Sequence, residues 1–191
     1  MREFILLMDQ ARTDHDFSIK NLSANGRMDI ACRFINSTLF NSYKMRDDVK
    51  TRLLLRGPPR KSLSLELDGR NLQGLHPGER SIAGYLKKNL KSFEDRKTAA
   101  NVGVRIEKEN LEDVLDRSNG KPVVLHEEGR DISDVELPEH CVFVIGDHKG
   151  VSEEDMEKLR EYNTVITSLG CESYQAQQVS SFLNIYMDRN G

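Results

Sequence analysis

The chain has 191 residues, of which 37% are hydrophobic and 31% are charged, and its mean hydropathy is −0.59. This composition supports a folded core, and no stretch approaches the run of about 20 apolar residues that a membrane-spanning helix needs. Three widely spaced cysteines, without a Cys-x-x-Cys pair, argue against a disulfide framework or a cysteine zinc site and favour a reducing cytoplasm.

The net charge of −3 hides an asymmetry along the chain. Residues 1–105 carry 20 Lys and Arg against 12 Asp and Glu, a balance of +8, whereas residues 106–191 carry 8 against 19, a balance of −11. Local basic density, rather than the total, decides whether a surface meets a phosphate backbone. The asymmetry therefore favours a polyanion-facing first half, although two solvated faces with opposite charges would also explain it.

The first half alternates strands and helices. The pattern predicts, in chain order, a strand over 2–8, a polar loop over 9–26, a helix over 28–42, strands over 49–56 and 62–67 around a Gly57-Pro58-Pro59 turn, a helix over 78–93, a strand over 102–106 and a short helix near 109–117.

The second half has strands without polar alternation. The pattern predicts strands over 122–126, 141–145 and 164–167 and helices over 152–162 and 173–189. Continuous apolar strands are typical of a parallel sheet covered by helices on both faces. We therefore expect an α/β fold formed by a single domain over residues 1–191.

Three polar, glycine-containing loops follow the predicted strands of the second half. They are 126–131 (HEEGRD), 146–150 (GDHKG) and 168–171 (SLGC). Ligands of open α/β sheets bind beyond the carboxyl ends of the strands, so these loops predict a nucleotide-like ligand. Ordinary turn chemistry would explain any one of them alone, and neither a dinucleotide fingerprint nor a P-loop is present.

Other chemistries have weaker support in the sequence. Asp147 and His148 with Cys171 could form a base and a nucleophile, but nothing resembles a nucleophile elbow. His126 and His148 have no second ligand at metal-binding spacing, so we expect no metal.

The motifs taken together resemble a known family. VFVIGDHKGVSEEDMEKL followed by VITSLGCESYQAQQVSSFLNIYMDR is similar to the cofactor-binding end of SPOUT-class RNA methyltransferases. Gly26-Arg27-Met28-Asp29, the Gly57-Pro58-Pro59 turn, LDGRNLQGL and HPGERSIAGYLKKNL resemble the archaeal tRNA pseudouridine-54 N1-methyltransferases. A related family that methylates ribosomal RNA carries Arg-Pro-Asp where this chain has Arg27-Met28-Asp29, which favours the tRNA family.

This resemblance implies a fold and a cofactor. The family's mostly parallel sheet has its C-terminal part, here about 120–191, tied in a deep trefoil knot that binds S-adenosylmethionine through backbone groups. By the family pattern, the residues expected to line that pocket are Leu125, Gly146, Thr167, Ser168, Leu169, Gly170 and Cys171. The resemblance also implies a homodimer that uses the last helix, where Val179, Phe182, Leu183 and Tyr186 form an apolar stripe.

Methylation of the N1 of pseudouridine requires a proton to leave that nitrogen. A carboxylate could accept the proton, and a guanidinium could stabilise the resulting anion. Asp29 with Arg27 or Arg33 is the candidate set, because Asp29 and Arg33 lie four residues apart on one helix face. An ordinary surface ion pair is the alternative interpretation.

Three further residues are candidate RNA contacts. Arg56, Arg60 and Lys61 flank the Pro-Pro turn and could bind phosphates within the basic part of the chain, about 1–105. Cys171 is expected to pack against the cofactor rather than to act as a nucleophile, and the sequence does not decide whether Gln175 and Gln178 face ligand or solvent. The leading hypothesis is methylation of tRNA; the alternatives are ribosomal RNA as substrate, or a non-catalytic assembly factor.

Overall fold

The computed structural model describes residues 1–42 and 44–190. The strands are β1 (Arg2–Met8), β2 (Val49–Leu55), β3 (Leu63–Asp68), β4 (Val104–Glu107), β5 (Lys121–Asp131), β6 (Cys141–Gly146) and β7 (Val165–Ser168). The helices are α1 (Met28–Leu39), α2 (Glu79–Arg96), α3 (Leu111–Arg117), α4 (Glu153–Glu161) and α5 (Ala176–Asn190). None of the helices in this part of the chain is long and apolar enough to cross a membrane.

The seven strands form one mostly parallel sheet in the order β4-β3-β2-β1-β6-β5-β7. Strands β2, β1, β6, β5 and β7 are parallel neighbours, while β3 runs antiparallel to both β2 and β4. The predicted α/β class and each predicted strand are confirmed, with ends shifted by a few residues. The carboxyl ends of five parallel strands therefore lie along the same edge of the sheet.

Strand β5 differs most from its prediction, because it continues to Asp131 instead of ending near residue 126. Leu125 and Arg130 both pair with Thr167 of β7, so the residues between them leave the ladder and return to it. The ladder between β5 and β7 therefore contains a bulge, and the end of β5 pairs with Thr167 a second time. Alternating polarity cannot reveal such a detour, since residues 126–131 are all polar or glycine.

Helices cover both faces of the sheet, as the unbroken apolar strands require. Side chains from one face of β1, such as Phe4 and Leu6, pack with α1, α2 and α5. Ile5 and Leu7 point to the opposite face and pack with α3 and α4. The core is therefore two apolar layers with the sheet between them.

Polar contacts fasten α5 to α1. The hydroxyls of Ser37 and Ser180 lie 2.6 Å apart, and Asn184 Nδ2 donates to the carbonyl of Thr38 at 3.1 Å. Arg2 Nη1 donates to the carbonyl of Asn184 at 3.0 Å, which joins α5 to the first strand. Because these groups are largely buried, their partners fix the position of α5 on α1.

The first residue of α1 is fixed by backbone contact with the end of β1. Gly26 and Arg27 both have left-handed backbone conformations, with φ of 68° and 61°. A Cβ at Gly26 would overlap the carbonyl of Gln10, so only glycine allows this approach. The chain therefore enters α1 directly above the end of the first strand.

Candidate active site

A cavity with a volume of about 590 Å³ lies at the carboxyl edge of β6, β5 and β7. Its walls come from the loops that follow β6 and β7, from residues 125–127 within β5, from the start of α1 and from the segment that leads into α5. This is the position at which the glycine-containing loops predicted a ligand site. The chain thus brings residues from sequence positions near 30, 125, 147 and 170 to one pocket.

The loop after β6 is a tight turn held by its own aspartate. Asp147 Oδ1 accepts a hydrogen bond from the Lys149 amide at 2.9 Å, and the Asp147 amide donates to the Leu7 carbonyl at 3.1 Å. A backbone bridge joins Asp147 to Gly150. These bonds hold the main chain of the turn against the cavity, which Gly146 and Gly150 both line.

The loop after β7 leaves open space where a side chain would normally stand. Gly170 has φ of 106°, and a Cβ built there would meet no atom within 4 Å. The left-handed conformation favours glycine, and Gly170 lines the cavity without a side chain of its own. A ligand can therefore reach the main chain at this point.

Five of the seven residues expected to bind a cofactor line the cavity. They are Leu125, Gly146, Ser168, Leu169 and Gly170. Thr167 is fully buried and its hydroxyl donates to the Arg130 carbonyl at 2.8 Å, so it supports the wall from behind. Cys171 is exposed and does not belong to the lining.

Arg27 and Arg33 also line this cavity, and both bond to one carboxylate. Arg27 donates from Nε and Nη2 to the two oxygens of Asp29 at 3.0 and 3.1 Å. Arg33 Nη2 donates to Asp29 Oδ2, and its Nε donates to the Asp29 carbonyl at 3.3 Å. Asp29 itself is only 5% exposed and is absent from the lining. The structure therefore brings the three predicted catalytic residues into one charge cluster centred on the buried carboxylate of Asp29.

The ionisation of Asp29 follows from these contacts. Burial raises its pKa, but hydrogen bonds and charge from Arg27, together with the charge of Arg33, outweigh burial and hold the pKa below its ordinary value. Asp29 is thus an anion with both oxygens occupied. This geometry suits a residue that positions two guanidinium groups better than one that accepts a proton from a ligand.

The basic residues beside the Pro-Pro turn lie at the neighbouring part of the sheet edge. Arg56 Nη1 and Nη2 donate to the Asp155 carboxylate at 2.6 and 2.7 Å. Arg60 Nη2 donates to Glu94 Oε1 at 3.2 Å, while Lys61 is exposed. Two of the three predicted phosphate contacts are thus paired with carboxylates, and none of the three lines the large cavity.

The segment between β7 and α5 supplies lining residues that sequence reasoning did not select. Tyr174 lines the cavity, and so does Gln175, whose role the sequence left open; Gln177, in the first turn of α5, adds to this wall. Gln178 instead accepts a hydrogen bond from the Gln175 amide at 3.0 Å. The sequence offered one indication that this segment lines the cavity, namely that it directly follows the third glycine-containing loop.

Comparison with known proteins identifies the family. A family model described as "Putative SAM-dependent RNA methyltransferase" matches residues 1–191. The chain belongs to this family. The resemblance found in the motifs is therefore confirmed, and S-adenosylmethionine (SAM) is the cofactor of the family.

Several archaeal relatives align with this RNA methyltransferase over almost their full length. The protein of Thermococcus kodakarensis is 39% identical, covering 98% of this chain and 99% of its own, and that of Methanococcoides burtonii is 36% identical, covering 100% and 97%. Both are named tRNA (pseudouridine(54)-N(1))-methyltransferase. The Archaeoglobus fulgidus Nep1 structure, bound to S-adenosylhomocysteine, has a TM-score of 0.68 at 17% identity and covers 98% of this chain and 97% of its own, which shows a shared fold.

The cavity fits the cofactor that this family uses. Its size lies within the usual range of about 300–1,000 Å³ for small-molecule sites, and the open position at Gly170 gives a ligand access to the main chain. The described residues contain no cluster of His, Cys, Asp or Glu arranged to hold a metal ion. A methyl donor that needs alignment and shielding from water, rather than metal ligands, suits this lining.

Proposed function

We propose that this protein methylates the N1 of pseudouridine 54 in tRNA with SAM as the methyl donor. The observation that carries the proposal is a cavity lined both by the strand-end loops and by a pair of arginines held by Asp29. Relatives that align over nearly the whole chain and bear this activity in their names support the choice of substrate. We place this activity in the cytoplasm.

The strand-end loops hold the cofactor in this proposal. Main-chain groups of 167–170 and the turn at Gly146 would bind the adenosine part, with Leu125 packing beside it and the exposed Cys171 following directly after Gly170. When bound, SAM supplies an electrophilic methyl carbon. The task of the protein is then to align the acceptor nitrogen with that carbon and to exclude water.

The arginine pair serves the acceptor base. Loss of the N1 proton leaves negative charge on the neighbouring carbonyl oxygens of the pseudouridine ring, and guanidinium groups at the cavity wall stabilise that charge. Asp29 keeps Arg27 and Arg33 in position, because both donate to its carboxylate. In this mechanism Asp29 is a positioning residue, and the proton leaves to solvent.

The architecture of the C-terminal part belongs to the same proposal. We place a trefoil knot within about 120–191, a placement that rests on the family resemblance and is compatible with the bulged pairing of β5 with Thr167 of β7. Residues 1–191 form one domain, whose basic part, about 1–105, faces RNA. Lys61, which lines a small recess with Lys108, remains a candidate phosphate contact.

A twofold homodimer completes the proposal. Val179 and Leu183 of the predicted stripe are buried against the chain's own core, whereas Phe182 is 42% exposed and stacks on Tyr186. Ile185, at 58% exposure, extends this apolar face of α5. Such a face is suited to a self-complementary interface, and sedimentation should give about twice 21.8 kDa.

Mass spectrometry of RNA after incubation with labelled SAM tests the proposed function. The substrates are a tRNA with pseudouridine at position 54, the same tRNA with uridine there, and a ribosomal RNA hairpin that contains pseudouridine. We expect one methyl group on the first substrate. Methylation of the hairpin alone would reassign the substrate to ribosomal RNA, and cofactor binding without methylation of any of them would contradict the enzymatic activity.

A further inference from the structure

The outer face of α2 carries cations that have no partner in the described part of the chain. Arg80, Lys88 and Lys91 are exposed, and no hydrogen bond or ion pair to another described residue involves their side chains. At about 100° per residue, the three lie within an arc of about 80° on the helix. We call these three residues the α2 strip.

The acidic residues of α2 do little to neutralise the strip. Glu79 Oε2 lies 3.7 Å from Arg33 Nε, and Glu94 bonds Arg60, so both carboxylates are already paired with cations of other elements. Asp95, near the end of the helix, is the remaining acid and lies within the same arc, so three cations there stand against one carboxylate. The strip therefore presents net positive charge to solvent, which complements a polyanion.

The strip begins at the rim of the cavity. The Gly78 amide donates to Asn36 Oδ1 of α1 at 3.1 Å, and Glu79 contacts Arg33, which lines the cavity. Arg80 follows directly, and Lys91 lies about 16 Å further along the helix axis at 1.5 Å per residue. This length spans about four or five phosphates of one strand at about 3.4 Å each.

We infer that the α2 strip binds the phosphate backbone of the RNA whose base enters the cavity. The inference rests on the proposed function, since only a nucleic acid substrate places phosphates beside the base that reacts. It assigns the polyanion surface to α2, because Arg56 and Arg60 are already held by Asp155 and Glu94. Phosphate contacts of this kind position RNA without reading its sequence.

The test compares two variants that each lose two exposed positive charges. Lys88→Gln/Lys91→Gln alters the strip, and the matched control Lys121→Gln/Arg160→Gln alters exposed residues of β5 and α4. Binding of unmodified tRNA is titrated without cofactor at several salt concentrations. For the strip variant we expect weaker binding and a salt slope smaller by about 1.5, the value for two lost phosphate contacts, with the control close to the parent protein.

Further measurements separate this inference from the proposed function. Lys88→Arg/Lys91→Arg should restore binding, and the strip variant should keep SAM affinity and kcat at saturating tRNA while its KM for tRNA rises. Equal affinities and salt slopes for the strip and control variants would overturn the inference. A second probe is polyglutamate, a polyanion without phosphates. A strip variant that binds tRNA like the parent protein and binds only polyglutamate more weakly would also overturn the inference. If the parent protein binds tRNA but does not methylate it, the proposed function fails, while the binding comparison still decides the role of the strip.

Discussion

Two neighbouring parts of the same sheet edge have opposite characters. Beyond β6, β5 and β7, the loops leave a cavity whose wall includes Gly170 and an exposed main chain. Beyond β2, the corresponding space is closed by Arg56, which is bonded to Asp155 at the start of α4 and lies 3.3 Å from Asp9. Both regions follow parallel strands, and the cavity of about 590 Å³ lies at the first of them.

An arginine beside a strand end can stabilise the packing or take part in the reaction, and the comparison shows how to distinguish these two roles. Arg56 meets a carboxylate that fills the gap between two elements, so its charge is used in packing. Arg27 and Arg33 also share a carboxylate, Asp29, but their guanidinium groups remain at the wall of the cavity. Pairing alone does not mark a residue as structural; what matters is whether the pair borders open space.

Asp29→Asn should give the largest effect, because it removes the anion that holds both cavity arginines. We expect methyl transfer to fall by roughly 10²–10⁴-fold, with SAM affinity nearly unchanged. Raising the pH should restore part of the rate, since solvent then deprotonates more of the pseudouridine. Single-turnover rates equal to those of the parent protein across the pH range would show that Asp29 is only an ion-pair partner.

Gly170→Val should remove cofactor binding by placing a side chain in the cavity. We expect SAM affinity, measured by calorimetry, to fall by about 100-fold or more, because the open position at Gly170 would be filled and its backbone strained. Gly78→Val is the matched control, since Gly78 has a similar φ of 101° and an equally open Cβ position but does not line the cavity. Similar losses of affinity in both variants would mean that backbone strain, and not the cavity, explains the effect.

Asp155→Asn, beyond β2, should lower the stability of the protein and leave its activity unchanged, whereas the two preceding substitutions act on activity or cofactor binding. The free energy of unfolding should fall by about 2–3 kcal/mol, because Arg56 loses a charged hydrogen-bond partner. The side chain of that partner, Asp155, is only 4% exposed. Under conditions in which the variant is folded, kcat and SAM affinity should stay near those of the parent protein. Urea unfolding and steady-state kinetics check both statements, and a drop in kcat without a drop in stability would reverse the assignment.

Lowering the pH should reduce the stability that the carboxylates of Asp29 and Asp155 give to the fold. At moderate pH this effect is the smallest of those predicted. Burial raises the pKa of Asp155, but the hydrogen bonds and charge of Arg56 outweigh it, so the pKa lies below its ordinary value, as it does at Asp29. A lowered pKa means that each carboxylate stabilises the fold fully above the unfolded-state value of about 3.9 and progressively less as pH falls through the folded-state value.

Urea midpoints measured between pH 5 and about pH 2.5 test this dependence. We expect the parent protein to lose stability below about pH 4, and Asp155→Asn to show a shallower decline because one linked proton is gone. Asp95→Asn, at an exposed position on α2, serves as the control and should follow the parent curve. Parallel curves for all three proteins would show that Asp155 is not linked to acid unfolding.

Much of this architecture could be predicted from local patterns. The unbroken apolar run of β6 predicted a strand buried on both faces, and residues 141–145 are buried as expected. The glycine-containing loops predicted the edge at which the cavity lies. These features depend on a few adjacent residues, so periodicity and turn chemistry reveal them.

Features that depend on distant partners could not be predicted. Nothing near Arg56 in the sequence points to Asp155, which lies 99 positions away, so an arginine beside a turn had the pattern of a free phosphate contact. The detour of β5 around Thr167 likewise depends on a strand about 40 residues later. The split of the α5 stripe into buried Val179 and exposed Phe182 required knowledge of what α5 packs against.

The backbone contact between Gly26 and Gln10 determines how the active site is prepared. Since the start of α1 lies against the main chain at the end of β1, folding itself fixes the place of Arg27 above the cavity. The arginine therefore does not need to be recruited when substrate arrives. Electrostatic groups that are preorganised in this way incur no reorganisation penalty during the reaction, so the free energy that orders this corner is expended once, when the chain folds.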